Sequence, residues 1–139
     1  MNLDDEKSTL NDKIELDFCE VFLREDQILQ INIFPHSLIG ENEAKKMTDA
    51  SLKLTRNVMF PVMIVVGEFA DFDKSSREYS ADPEKEVGSS AKAYLLNNLG
   101  HIIIANFFLK VNKPVKPVRI FKNEQDAIKW LKNFVPTEK

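Results

Sequence analysis

Asp71-Phe72-Asp73-Lys74-Ser75-Ser76-Arg77-Glu78 is the chemically richest stretch of the chain, with carboxylates, hydroxyls and a guanidinium crowded together. Asp71 and Asp73, two residues apart, are the paired carboxylates of this stretch. On an exposed loop the same pair simply stays solvated. Ser75 followed by Glu78 has the spacing of a capping box, in which hydroxyl and carboxylate each accept a hydrogen bond from an unpaired backbone N–H at a helix start. Asp82-Pro83 offers a second start, with proline at the first helical position.

The other reactive residues are scattered. His36 and His101 have no His or Cys neighbour at a metal-ligand spacing, so no metal is expected. Cys19 is the single cysteine; it can form no internal disulfide, and it reads as a small, partly buried apolar residue rather than a nucleophile. Lys110, Lys113, Lys116 and Arg119 surround Pro114 and Pro117. Of these, Lys113, Lys116 and Arg119 are candidates to bind an anion or an acidic partner, set against an ordinary solvated loop. Phe107, Phe108, Trp130 and Phe134 could line a ligand pocket, although aromatics on core-facing helices usually pack. No catalytic residue and no cofactor is assigned.

These residues must be held by a scaffold of modest size. At 139 residues, 43% hydrophobic and 29% charged, the chain has the composition of one compact domain. The net charge of −3 provides no general attraction to nucleic acid or to an anionic membrane surface. No apolar run approaches the ~20 residues a membrane-spanning helix needs, and no signal-peptide pattern opens the chain. A cytoplasmic location is expected.

Residues 1–13 are polar and charged and read as a flexible tail, leaving a single domain over 14–136. Leu16–Leu23 and Gln27–Phe34 are β-rich runs around Arg24-Glu25-Asp26, an antiparallel hairpin. Ala44, Met47, Ser51, Leu54 and Val58 recur at steps of three and four, predicting an amphipathic helix over 41–58. Pro61 then opens a new element, and Val62–Val66 is a continuous β-branched run suited to a strand covered on both faces. A helix from Ser75 to about Glu86 follows, then a break at Gly88-Ser89-Ser90 and a strand-length run from Ala91 to Asn97. Leu99–Val111 fits either a strand or a buried helix by propensity alone. Val118–Phe121 is a short strand, and a last helix is capped by Asn123, carries Ala127, Trp130, Leu131 and Phe134 on one stripe, and ends at Pro136.

The order hairpin, helix, strand, helix, strand, helix, strand, helix resembles the STAS, or SpoIIAA-like, architecture. Residues Asn106 to Phe121 and Asp126-Ala127-Ile128-Lys129-Trp130-Leu131 are similar to a group of uncharacterised bacterial STAS-like proteins. The resemblance implies an α/β fold with a central, mostly parallel sheet opened by a β-hairpin and packed against about four helices. It also makes Ala91–Asn97 a strand and Leu99–Val111 a helix. STAS proteins that antagonise anti-sigma factors accept a regulatory phosphate on a serine in an Asp-Ser-Ser-Gly-like motif. The comparable stretch, Asp73-Lys74-Ser75-Ser76-Arg77, departs from that motif by the inserted Lys74 and by Arg77 in place of glycine. A phosphate on Ser75 or Ser76 would meet the positive end of a helix, opposed by Asp71 and Asp73. The resemblance implies a non-catalytic regulatory or protein-interaction module, with Ser75, Ser76 and Asp73 as the phosphorylation or contact site. The expected partner is another protein or a second copy of the chain. One alternative is a protein that binds a small apolar ligand or lipid near Leu99–Val111. Another is a phosphatase: Asp71-Phe72-Asp73-Lys74-Ser75 resembles the Asp-x-Asp-x-Ser/Thr signature of haloacid-dehalogenase-type enzymes, with Gly67 to Ala70 interposed after the strand.

Overall fold

The computed structural model describes residues 12–85, 87–112 and 114–136. Its centre is a six-stranded sheet in the order β1-β2-β3-β5-β7-β8. β1 (Lys13–Glu15), β2 (Cys19–Leu23) and β3 (Leu29–Ile33) pair antiparallel. β5 (Phe60–Val66), β7 (Ser89–Leu95) and β8 (Val118–Phe121) continue from β3 in parallel. The expected hairpin is β2–β3, with Cys19 opposite Ile33 and Leu23 opposite Leu29. Lys13 belongs to a third strand rather than to a tail; the rest of the proposed tail, residues 1–11, lies outside the described residues.

In β3, Leu29, Ile31 and Ile33 are buried while Gln30 and Asn32 between them are only partly covered, as strict alternation demands. β5 sits between β3 and β7, and Val62, Met63 and Ile64 are all buried because both of its faces are covered. Pro61 is tolerated in this central strand because the register shifts between Phe60 and Val62, so no ladder N–H is missed there.

Successive parallel crossovers in one direction put three helices on one face. These are α1 (Glu41–Thr55), α2 (Lys74–Ala81) and α3 (Leu99–Asn112). α4 (Glu124–Leu131), followed by a 3-10 turn over Lys132–Phe134, closes the other face. The two cores divide accordingly. Val21, Ile31, Val62 and Ile64 pack with Met47 and Ala50 of α1, whereas Met63, Ala91 and Ala93 pack with Ala127 and Leu131 of α4.

Several boundaries differ from the sequence reading. α1 stops at Thr55, because Arg56 (φ 54°) and Asn57 (φ 67°) turn left-handed, and Val58 is left exposed instead of joining the core stripe. β7 begins at Ser89, so only Gly88 (φ 95°) breaks the chain. α2 ends at Ala81, since Asp82 is extended and its carboxylate accepts the Glu84 N–H at 2.9 Å to form a separate turn. Sequence periodicity gave no sign of a second, two-stranded sheet, in which β4 (Leu38–Ile39) pairs in parallel with β6 (Asp71–Phe72).

Candidate functional site

The β4–β6 pair determines where α2 starts. Asp71 N–H donates to Ser37 O and Asp73 N–H to Ile39 O, each at 2.9 Å, which keeps Asp73 extended (φ −80°, ψ 175°). Asp73 is therefore the N-cap, and its Oδ1 accepts the Ser76 N–H at 2.9 Å. The capping box proposed for Ser75 and Glu78 does not form; Ser75 is the second residue of the helix, two past the cap, with a different task. Its hydroxyl donates to Asp73 Oδ1 at 2.7 Å and accepts the Glu41 N–H, the first of α1, at 3.0 Å.

Ser75 Oγ thus joins the N-terminal ends of α1 and α2. Glu43 satisfies the neighbouring Gly40 N–H at 2.9 Å. The hydrogen bonds from Ser75 and from the Ser76 amide hold the Asp73 carboxyl below its ordinary pKa. The two serines are not equivalent. Ser76 is buried, and its hydroxyl donates to Asp73 O at 2.9 Å, whereas Ser75 is only partly covered. A phosphate on Ser75 would lie near two helix N-termini but against Asp73, so it would displace that carboxylate from the cap.

Beside this junction, Phe69 is held in view of solvent. It is 68% exposed and left-handed (φ 63°), and its ring stacks on His36, also left-handed (φ 66°), at 5.1 Å. The His36 N–H donates to Glu68 O at 2.9 Å and ties the two loops together. Leu38, at 64% exposed, adds a second large apolar side chain to the same β4–β6 unit. Gly67 allows the loop to leave β5 here, since a Cβ at that position would lie 2.4 Å from Ile33 O and 2.7 Å from Pro35 N.

Between α3 and the sheet runs a shallow groove that opens to solvent. Tyr94, Val118 and Ile120 form its floor, Ile104, Ala105, Phe108 and Leu109 its helical wall, and Arg77, Lys92, His101 and Asp71 its charged or titratable groups. α3 is apolar along its length yet contains no fully buried side chain among those described, and Leu99, Ile103, Phe107 and Val111 face outward. Asn98 caps it, its Oδ1 accepting the His101 N–H at 3.0 Å.

The remaining candidate residues are dispersed. Asp71 stands at the groove, 4.0 Å from His101 Nε2, while Asp73 is engaged in capping, so the two carboxylates serve different neighbours. Among the described residues no three His, Cys, Asp or Glu side chains form a group that could hold a metal ion. Arg119 does not join Lys116 in a basic loop: it points to the α4 face, its guanidinium 5.0 Å from the Phe121 ring and 5.6 Å from that of Trp130. Lys116 stands by Pro114 and the end of α2, and Lys113 lies outside the described residues. Phe108 lines the groove, whereas Trp130 and Phe134 pack edge-on against each other at 4.9 Å. Cys19 is fully buried, and burial, reinforced by Glu20, pushes its thiol up to about 12. Sequence reasoning gave no role to Phe69 or Lys92, weighed His36 only as a metal ligand, and met Arg77 only as a departure from the serine motif. Only a left-handed histidine has a local precedent strong enough to be suspected.

A family model described as a domain of unknown function, DUF7793, matches residues 22–135. No curated protein matches the chain. Among solved structures, an uncharacterised protein of the DUF3478 family from Shewanella loihica PV-4, described as having a SpoIIAA-like fold, superposes with a TM-score of 0.54 at 15% identity. The match covers 85% of this chain and 97% of that one. At that identity the likeness establishes the fold alone. No helix among the described residues is long and apolar enough to cross a membrane.

Proposed function

We propose that this chain, which belongs to the DUF7793 family and has the SpoIIAA-like fold, is a non-catalytic regulatory module that binds another protein through the β4–β6 unit and the start of α2. The supporting observation is Phe69. A large ring kept exposed on a left-handed backbone costs stability, and such strain concentrates at contact and switch sites. Ser75 is the control point of this reading. Phosphorylation there would expel Asp73 from the cap and loosen the junction of α1 and α2 beside the contact surface.

The test is affinity capture from lysate of the source cells with wild type, Phe69→Ser, Ser75→Asp and Lys129→Gln, the last on the α4 face. A polypeptide retained by wild type and Lys129→Gln but lost by the other two variants supports the reading. Equal retention by all four overturns it. A second reading, binding of a small apolar ligand, is favoured by the groove under α3.

A further inference from the structure

We infer that the outer face of α3 is the interface of a symmetric dimer, in which α3 of one copy lies antiparallel on α3 of a second copy of this chain. The surface is separate from the β4–β6 unit and from the groove, so the inference stands apart from both readings above. A helix that is apolar all round is ordinarily buried all round. Of the fourteen residues of α3 only Lys110 carries a permanent charge, yet Leu99, Ile103, Ile104, Phe107 and Val111 are between 52% and 67% exposed. Their uncovered surface comes to roughly 500 Å², near the largest apolar patch a typical monomer carries. Set against a second copy it removes about 1,000 Å² from water, where specific interfaces begin, before the exposed flanks Gly100, Asn106 and Lys110 are counted.

The pattern of the stripe selects the second copy. Leu99, Ile103, Phe107 and Val111 recur every fourth residue, the ridge along which helices interdigitate, and the row is centred on position 105. A two-fold axis there sets Ile103 against Phe107 and Leu99 against Val111, each pair made twice, as a symmetric interface requires. Lys110 then falls opposite Gly100, which leaves it room, and the two helix dipoles cancel. A parallel pairing would instead set Lys110 on Lys110. Other covers fit less well. Residues 1–11 carry only Met1, Leu3 and Leu10 as apolar groups, and they lead into β1, at the opposite edge of the sheet from β8, beside which α3 packs. An anionic lipid surface would meet a chain of net charge −3.

Sedimentation equilibrium of the full chain, from about 1 to about 500 µM, tests this. The expected result is a dimer with a dissociation constant of about 10–100 µM, as suits an interface at the small end of the range. Phe107→Asp and Ile103→Lys, both at exposed positions and each checked for native fold by circular dichroism, should weaken association about a hundredfold or more. Mixing the two variants should restore it, because the introduced carboxylate and ammonium face each other in one half of the interface while the other half keeps its native pair. A wild type of single-copy mass at the highest concentration overturns the inference, as does a dimer that both folded variants leave unchanged. Failure of the mixed variants to associate overturns the antiparallel pairing. A single-copy chain that co-sediments with vesicles of phosphatidylcholine and phosphatidylglycerol, and loses them on Phe107→Asp, assigns the face to lipid and overturns the inference too.

Discussion

Replacing Phe69 by glycine and, separately, by alanine isolates the backbone strain at the proposed contact surface. Both variants lose the ring and its stack on His36, and with the ring 68% exposed the lost burial is small and common to the two. They differ in how each residue tolerates φ 63°. An L-residue in the left-handed region costs about 1–2 kcal/mol, which glycine escapes. Glycine gives back about 0.5–1 kcal/mol through the larger entropy of its unfolded chain. The glycine variant should therefore be the more stable by about 0.5–1 kcal/mol, the reverse of the order at an ordinary extended or helical site. Urea titration followed by circular dichroism reads this directly. With a slope of about 1–3 kcal/mol per molar, the midpoints should separate by about 0.5 M, glycine higher. Equal midpoints, or alanine higher, would refute the claim that Phe69 is held under strain.

Gly67→Ala sets a Cβ against backbone atoms of Ile33, Phe34 and Pro35, none of which can swing aside; a cost of about 1–3 kcal/mol and a melting temperature lower by roughly 5–10 °C are expected, and an unchanged melt would contradict the close approach. The native thiol of Cys19, with its pKa pushed up to about 12, should be inert to a disulfide reagent at pH 8, where only about one thiol in ten thousand is ionised, and react fully in urea. Reaction of the native protein at the rate of a free thiol would remove β2 from the core. Because the folded pKa of Asp73 lies below its ordinary 3.8, the stability it contributes is complete above about pH 5 and is lost as pH falls through the folded value. The stability difference between wild type and Asp73→Asn, measured by urea titration across pH, should accordingly be constant above about pH 5 and shrink below about pH 4; a difference that grows on acidification would reverse the sign.

Elements with a long, consistent pattern were legible in the residues. The run Val62–Val66 marked the covered central strand, and the steps from Ala44 to Leu54 marked α1. Leu99–Val111 was not legible locally, because an apolar segment that lies over a groove lacks the polar face that reveals an amphipathic helix. At the site, both Asp73 with Ser76 and Ser75 with Glu78 have capping spacing. The pairing of β6 with β4 decides between them, and strands of two residues leave no periodicity to read. Ser75 and Asp73 were therefore found as a pair but with their roles exchanged. The groove was suspected from α3 alone, while Arg77 and Lys92 meet there only because a crossover brings α2 over β7.

The brevity of β1 and β8 has a consequence for how anything can attach to this protein. Among the described residues the sheet ends in a three-residue strand whose Lys13 and Glu15 are exposed, and in a four-residue strand whose exposed residue is Arg119. An incoming peptide gains affinity by strand addition only when it finds a long row of free backbone donors and acceptors, and short charged borders refuse that zippering. Recruitment, like resistance to fibrillar self-association, is thus steered away from the rims of the sheet and toward its helical side.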